Sequence, residues 1–319
     1  MSELSTIAIA GCGRAGKLHA VAAAKLGLSI VAHSATSDLS SSASQFAELH
    51  PKSRWLPLNP DVLCDIADLV VIALPPEVCH RVVGDFISRG RPLLVEKPLA
   101  LNTDHLSMIL KTRTSRDSPV AVGYNRRFYP LIQVVRQQLR QDPIRWAEVT
   151  IVEDVDHLLK TKGDVGSSSY LRVGSASHVL DLCRYLFGTG LPQSIERHRS
   201  VTNDWFVCYH FTLVADNGSE VRVSVDDVGR ERRGIRIGTQ RGKIIELRPL
   251  NRLVIRDSGE SSSQTVSIAE EIDRADSYTS SFVDQLDDLK RGDLTTIHVG
   301  EDSLHLSRVI DCLEVASDA

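Results

Sequence analysis

A glycine-rich hexapeptide, GCGRAG, lies between an apolar run of strand length, STIAIAG, and a helical segment, AGKLHAVAAAKLG. In such a position, Gly11 would permit a tight turn, Gly13 would let the backbone approach a pyrophosphate, and Gly16 would let helix and strand pack closely. The N–H groups at the start of the following helix attract phosphate. The pattern predicts a dinucleotide site formed by Gly11, Gly13, Arg14, Ala15 and Gly16.

Apolar strands alternate with helices over the first 122 residues. LSIVAHSA, ADLVVIALPP, PLLVEKP and PVAVGYN read as further strands, and the helix NTDHLSMILKTRTSR has Asn102 or Thr103 as its cap. Strands that are apolar throughout and separated by helices are typical of a parallel sheet covered on both faces. The fold class is therefore predicted as α/β, with an N-terminal Rossmann parallel sheet in a dinucleotide-binding domain of residues 1–122.

The pattern changes after Tyr124. Two helical segments, YPLIQVVRQQLRQ and SHVLDLCRYLFG, flank a strand, IRWAEVTIVED, and strands then dominate, with a hairpin about Asp216, Asn217 and Gly218. SYTSSFVDQLDDLKRG and EDSLHLSRVIDCLEVASD read as closing helices. Residues 123–319 are predicted to form a second domain, an antiparallel sheet with helices on one face.

Composition narrows the class of protein and its partners. The net charge of −4 does not favour nucleic acid or an anionic membrane surface. No apolar run approaches the roughly 20 residues that span a bilayer, and MSELSTIAIAG has no basic region typical of a signal peptide. The six cysteines form no CxxC pair and no ligand spacing with histidine. We therefore expect free thiols, no metal site and a cytoplasmic location.

The type of dinucleotide depends on the end of the second predicted strand. An acidic residue about 20 residues beyond the glycines would bind the ribose of NAD. None stands near Ser34 and Ala35, and Asp38 comes late. The missing acid removes a repulsion against a 2′-phosphate, to which Ser34, Thr36 and Ser37 could donate, although no arginine or lysine stands there to neutralise it. NADP and NAD both stay open, with NADP slightly preferred.

The segment LLVEKPLA ends a buried strand in an acid, an amine and a proline. Open α/β sheets bind ligands outside the carboxyl ends of their strands, and Pro98 restricts the chain that leaves this one. An ammonium at Lys97 would stabilise a developing alkoxide and, with its pKa lowered by burial, could transfer a proton. Glu96 is predicted to hold the loop and contact the cofactor, as are Leu74 and Pro75 after ADLVVIA. The alternative is a surface lysine at a strand end.

These motifs, in this order, resemble the Gfo/Idh/MocA oxidoreductases, the relatives of glucose–fructose oxidoreductase and inositol dehydrogenase. The matching segments are AGCGRAGKLHA with His19, DLVVIALPPEVCH with His80, LLVEKPLA, VGYNRRFYP, SHVLDLCRYLFG and GEDSLHLSRVI, so the resemblance covers nearly the whole chain. It implies an NAD(P)-dependent dehydrogenase or reductase that acts on a secondary alcohol or ketone of a sugar, cyclitol or nucleotide-sugar. It also implies that residues 123–319 form a substrate-binding α+β domain with an open, mostly antiparallel sheet, through which a homo-oligomer, a dimer or tetramer, assembles.

The resemblance further implies individual site residues. Lys97 and His178 would be catalytic, with His178 directed into a substrate cleft between the domains and relaying the proton; a capping or packing histidine is the alternative. Arg127, in VGYNRRFYP, resembles a position near the substrate. Asp154 belongs to a polar loop before the His178 helix and is predicted to reach substrate hydroxyls from a mobile cover.

One position departs from the family pattern. Many members carry an aspartate four residues before the histidine as its catalytic partner, whereas this chain has Gly174 there. Ser175 and Ser177 cannot act as a base near neutral pH. The oxidoreductase is the leading hypothesis, and the alternatives are a catalytically silent dinucleotide- or sugar-sensing regulator and a hydrolase or lyase that oxidises its substrate transiently.

Arginine is concentrated in the predicted strands of the second half. The set comprises Arg230, Arg232, Arg233, Arg236, Arg241, Arg248, Arg252 and Arg256. The first interpretation is a solvated or subunit-facing sheet surface, and the second is a patch for an anionic substrate such as a nucleotide-sugar.

Overall fold

A computed structural model describes residues 4–35, 37–38, 40–112, 119–162, 170–200, 206–229, 233–257 and 267–315. The chain divides into two compact units. The first comprises Met1–Phe128 and Thr279–Ser307, and the second comprises Tyr129–Tyr278 and Arg308–Ala319. Each unit contains one sheet and its own buried core.

The first unit contains a mostly parallel sheet. Its strands are β1 (Thr6–Ala10), β2 (Ser29–Ser34), β3 (Arg54–Trp55), β4 (Leu69–Ile72), β5 (Leu93–Val95), β6 (Val120–Val122) and β15 (His298–Val299), in the order β15-β6-β5-β4-β1-β2-β3. Only β15 runs antiparallel to its neighbour in the described sheet. Every residue of β4, β5 and β6 is buried, as expected for strands covered on both faces. The predicted Rossmann parallel sheet is confirmed.

Helices follow the parallel strands, and three of them begin at polar caps. They are α1 (Arg14–Lys25), α2 (Ser41–Leu49), α3 (Pro60–Ile66), α4 (Pro76–Ser88), α5 (Thr103–Lys111) and a 3-10 helix (Asn125–Phe128). The side chains of Ser40, Asn59 and Asn102 each accept a backbone N–H from the first turn of α2, α3 and α5. Such caps satisfy donors that the helix itself leaves unpaired, so the polar residue determines where the helix begins.

The second unit contains a mostly antiparallel sheet. Its strands are β7 (Ile144–Val152), β8 (Ser194–Arg199), β9 (Val207–Val214), β10 (Glu220–Asp226), β11 (Gly234–Thr239), β12 (Ile244–Leu247), β13 (Arg252–Arg256) and β14 (Ser267–Glu271), in the order β14-β13-β12-β11-β7-β10-β9-β8. Among the described pairs, only β7 and β10 run parallel. Residues of β9 and β10 alternate between buried and more exposed, so this sheet has one covered and one open face. The predicted mostly antiparallel sheet is confirmed, and the compact unit that contains it leaves out residues 123–128 and 279–307 of the predicted range 123–319.

Helices of the second unit are α6 (Pro130–Gln141), α7 (Val155–Lys162), α8 (Tyr170–Val173) and α9 (Ala176–Phe187). The last helices of the chain, α10 (Arg274–Arg291) and α11 (Gly300–Val315), contribute residues to both units. In the part of the chain that the structure describes, no helix combines the length and the hydropathy that crossing a membrane requires. All six cysteines carry free thiols, and five of them are buried.

A buried guanidinium joins α8 to the end of α11. Arg172, 5% exposed, forms an ion pair with Asp311, and its Nη2 lies 3.7 Å from Oε2 of Glu314. Burial raises the pKa of the Glu314 carboxyl from 4.5 to about 7, against the opposing effect of the Arg172 charge. The folded state therefore holds a proton on Glu314 that the unfolded state releases at lower pH.

This difference predicts a pH-dependent stability. The contribution of protonated Glu314 is fully present below pH 4.5 and is lost as the pH rises through about 7. Glutamine resembles the protonated carboxyl, so we expect Glu314→Gln to gain melting temperature relative to wild type between about pH 5 and about pH 8. Thermal melts across that range measure the change, with the exposed Glu48→Gln on α2 as control. A difference in Tm that does not vary with pH would contradict the assignment.

Candidate functional site

Two glycines of the turn between β1 and α1 are required by contacts inside the protein. Gly11 has a φ of +108°, a region that L-residues rarely adopt, and a β-carbon there would lie 2.2 Å from the carbonyl oxygen of Ala73. A β-carbon on Gly16 would lie 1.8 Å from the carbonyl oxygen of Gly11. The helix can therefore follow the strand this closely only if both positions lack a side chain.

Gly13 has a different environment. Its backbone has an ordinary φ of −72°, and a β-carbon there would meet no described atom within 4 Å. It also precedes the first residue of α1, Arg14, where a helix presents N–H groups that attract anions. A space that a β-carbon would fill, at the start of a helix, fits the close approach of a dinucleotide pyrophosphate. Ala15 lies in the same first turn.

Three loops leave the parallel sheet at one edge. The backbone ladder continues past the strand ends, with Ala73 N–H donating to the Ala10 carbonyl at 2.7 Å and Glu96 N–H donating to the Ile72 carbonyl at 2.8 Å. Adjacent strands lie about 4.8 Å apart, so the chain after β5 is about 10 Å from the glycine turn. The partly exposed Lys97 thus stands at the edge on which the glycine turn opens. The half-buried Leu74 and exposed Pro75 follow β4, between them.

Glu96 is held by a histidine from α1. His19 is fully buried, and its Nε2 lies 2.8 Å from Oε1 of Glu96. The imidazole packs edge-on against Phe282 with ring centroids 4.9 Å apart. A β-carbon on Gly123 would lie 2.9 Å from the other carboxylate oxygen of Glu96, so this side of the carboxylate also lacks spare room. The sequence includes His19 in a motif without revealing its partner, because the partner lies 77 positions away.

Ser34, one of the residues predicted to bind a 2′-phosphate, gives that contact no support, whereas Ser37 is exposed. Ser34 is 1% exposed, and its carbonyl accepts the Gly11 N–H at 2.8 Å. Its buried hydroxyl is out of reach of a phosphate on the protein surface. Thr36 lies outside the described residues. The preference for NADP stays a prediction.

In the second unit, the carboxylate of Glu153 lies beside Gly174, the position at which an aspartate was expected. His178 is the third residue of α9 and is partly exposed. A β-carbon on Gly174 would lie 2.6 Å from the carbonyl oxygen of Tyr170 and 2.9 Å from Oε1 of Glu153. Glu153, 3% exposed and directly after β7, accepts the backbone N–H of Ala176 at the start of α9. The space beside residue 174 is thus filled by a carboxylate from another element. In the sequence, the one indication of this role is that Glu153 adjoins Asp154, a predicted site residue.

Two predicted substrate residues have partners within their own units. Oδ1 of Asp154 accepts the backbone N–H of His157 at 3.1 Å and so caps α7. Arg127, 4% exposed, donates to Oδ2 of Asp302, and its Nη2 lies 3.1 Å from Nδ1 of His298. These contacts hold the 3-10 helix to β15 and to the start of α11. A substrate role for either residue stays a prediction.

Arginines of the second sheet pair with carboxylates. Nε of Arg236 lies 3.2 Å from Oε1 of Glu246, with which Arg256 also pairs. Arg236 and Arg248 lie 3.8 and 3.9 Å from Oε2 of Glu148. Arg230 and Arg232 lie outside the described residues. Because carboxylates adjoin these guanidinium groups, the arrangement favours a polar sheet surface over a patch for an anionic substrate.

Most of the first unit matches the sequence model of a known protein family. Residues 5–124 match the sequence model of the oxidoreductase family GFO_IDH_MocA, whose description is an NAD-binding Rossmann fold. The inositol 2-dehydrogenase of Rhizobium meliloti (strain 1021) is 26% identical over 121 residues, which are 38% of this chain and 37% of that enzyme. The match therefore spans less than two thirds of that relative's length.

Solved structures resemble nearly the whole chain. The UDP-N-acetylglucosamine 3-dehydrogenase of Acidithiobacillus ferrooxidans has a TM-score of 0.75 and 20% identity, with 98% of this chain and 97% of that one covered. An oxidoreductase from Agrobacterium radiobacter, in complex with NAD+, L-tartaric acid and magnesium, has a TM-score of 0.80 and 18% identity, with 99% and 96% covered. At these identities the likeness shows the fold.

The different environments of the glycines predict separable effects. Gly16→Ala should destabilise the protein by about 3 kcal/mol, because the new β-carbon overlaps a carbonyl oxygen. Gly13→Ala should cost less than about 1 kcal/mol yet weaken NAD binding at least about tenfold. Thermal melts and calorimetric titration with NAD measure the two effects. Gly190→Ala, which also meets open space, is the control and should change neither. Unaltered NAD affinity in Gly13→Ala would exclude the turn as the pyrophosphate site.

Proposed function

We propose that this chain is an NAD-dependent dehydrogenase or reductase of the Gfo/Idh/MocA type, because residues 5–124 match the model of that oxidoreductase family and its NAD-binding Rossmann fold. The observation that carries the proposal is the alignment of three loops at one sheet edge: the glycine turn, Leu74–Pro75 and Glu96–Lys97. A dinucleotide anchored by its phosphates at the first loop would extend along the edge toward the amine of the third.

The proposed substrate is a sugar, cyclitol or nucleotide-sugar that reacts at a secondary alcohol or ketone. The names of two similar proteins support this class, an inositol 2-dehydrogenase and a UDP-N-acetylglucosamine 3-dehydrogenase. NAD is proposed over NADP because the family description names NAD and the Ser34 hydroxyl is buried. A cytoplasmic homo-oligomer remains part of the proposal, on the family resemblance alone.

The proposed chemistry assigns each residue a task. NAD, when bound, would supply the chemistry of hydride transfer to and from the substrate carbon. Gly13 and the first turn of α1 bind the phosphates. Nζ of Lys97 hydrogen-bonds the reacting oxygen, takes its proton during oxidation and returns it during reduction. The His19–Glu96 pair holds the loop that carries Lys97.

His178 is the second proposed proton-transfer residue, and Glu153 is its proposed positioning residue. The carboxylate of Glu153 accepts the Ala176 N–H and so fixes the start of the helix that carries His178. Gly174 motivated the hypothesis of a catalytically silent regulator because the expected aspartate is missing. Since the carboxylate of Glu153 occupies that space, the enzyme is the better supported function.

Loss of the amine should abolish most turnover without loss of the cofactor. We expect Lys97→Ala to lower kcat by roughly 10²–10⁴-fold, the usual contribution of a general acid–base, while the Kd for NAD stays unchanged. The assay follows formation of reduced nicotinamide with inositol and with UDP-N-acetylglucosamine as probes. Lys111→Ala, at an exposed lysine of α5, is the control. Equal turnover by wild type and Lys97→Ala would refute the role, and NAD binding without any turnover would favour the regulator.

Removal of the carboxylate beside α9 tests its role. Glu153→Ala should lower kcat and change its pH profile, because the start of α9, which carries His178, loses the carboxylate that accepts the Ala176 N–H. Gly174→Asp should be poorly folded with or without Glu153, since its β-carbon would lie 2.6 Å from the carbonyl oxygen of Tyr170. Thermal melts separate folding from activity. A Glu153→Ala variant that folds and keeps the kcat and pH profile of wild type would count against the proposed role.

A further inference from the structure

Three side chains that can ligate metal meet on the open face of the second sheet. Glu196 and His198 lie two residues apart on β8, so both point to the same face. His210 on β9 is the direct register partner of Glu196. One ligand atom from each of the three residues lies within 4.8 Å of the other two. The side chains are 74%, 54% and 49% exposed, so an ion in solvent can reach all three.

The distances between the ligand atoms allow all three side chains to coordinate one ion. Nε2 of His198 lies 3.8 Å from Oε2 of Glu196, and the two imidazole centroids are 5.1 Å apart. Ligand atoms of tetrahedral zinc lie about 3.3 Å from one another, given bonds of about 2.0–2.1 Å. The backbones of β8 and β9 are fixed by six paired residues each, so only small side-chain rotations are needed. A sheet is therefore a rigid support for these ligands.

The charges around the cluster favour a dication. Asp226 on β10 adds a second carboxylate, with Oδ1 3.6 Å from Nε2 of His210. With neutral imidazoles, Glu196 and Asp226 give the cluster two negative charges. The cation on the same face of β10, Arg222, pairs with Glu220 at 3.2 Å. Electrostatic attraction by these carboxylates therefore adds to the affinity that the three ligands give for a divalent ion.

One neighbouring thiol is not needed as a ligand. Cys208 is the register partner of His198, and its Sγ lies 3.9 Å from Oδ1 of Asp227. The donor set is then two imidazoles and one carboxylate, a combination found in zinc sites with an open fourth position.

We propose that Glu196, His198 and His210 bind one Zn²⁺ per chain on the open face of the second sheet, with a water in the fourth position. Exposed pairs of histidine and acid contribute little to the stability of the fold. Stability therefore does not account for the presence of these three residues together. The site uses none of the residues assigned to the dinucleotide or the substrate. It therefore does not depend on the proposed hydride-transfer chemistry.

Zinc itself is the probe. The full chain, stripped with a chelator, is titrated calorimetrically with Zn²⁺, and Co²⁺ is added separately because its visible absorption reports coordination. We expect saturation at one ion per chain. His210→Ala and Glu196→Ala should each weaken binding at least about 100-fold, the upper end of what loss of a supporting residue costs. Thermal melts in chelator should show that both variants fold, since the side chains are exposed.

A charge-matched control separates coordination from general attraction. Glu220→Ala removes one negative charge from the same face, on β10, without removing a proposed ligand. Its Zn²⁺ affinity should stay within about threefold of wild type, because screened surface charges act weakly at a distance. The proposal is overturned by wild type that shows no saturable binding, by binding that survives His210→Ala, or by equal losses in Glu220→Ala and Glu196→Ala.

Discussion

The close approach of two backbone segments is the constraint on which the first unit depends. The turn after β1 passes so near the end of β4 that Gly11 has no room for a β-carbon against Ala73, and α1 begins so soon that Gly16 has none against Gly11. A longer turn would relieve both contacts, but it would carry the first N–H groups of α1 away from the sheet edge. Gly13 meets neither restriction. The fold therefore explains why Gly11 and Gly16 lack side chains, and it leaves open space beside Gly13.

The His19–Glu96 pair extends this constraint from the glycine turn to the loop of Lys97. A carboxylate that is largely removed from water needs a partner, and the imidazole supplies one from the helix that follows the glycine turn. Burial, together with the charge of Glu96, raises the pKa of the Cys79 thiol to about 12, so that thiol stays protonated. A shift of α1 would move the partner of Glu96, and the position of the Lys97 loop therefore depends on the helix that begins at the glycine turn.

Features that depend on one short stretch of chain could be predicted from the sequence. The strand, turn and helix around GCGRAG, the Asn102 cap and the hairpin at Gly218, whose φ is +83°, all arise from neighbours in sequence. The sequence pattern did not indicate the pairing of β15 with β6, the parallel pairing of β7 with β10 or the return of residues 279–307 to the first unit. Those contacts join segments far apart in the chain, and a two-residue strand such as β15 carries no periodicity of its own.

The same distinction explains the acid beside α9. Comparison by position finds a glycine where an aspartate is expected, while the structure finds a carboxylate in that space, supplied from the end of β7. The two arrangements exclude each other, because an aspartate at 174 together with Glu153 would force two carboxylates into overlapping volumes, and their absence together would leave the start of α9 without an anion. A glycine at 174 and an acid at 153 therefore form one structural unit, and the loss of a motif residue does not by itself show the loss of the chemical group.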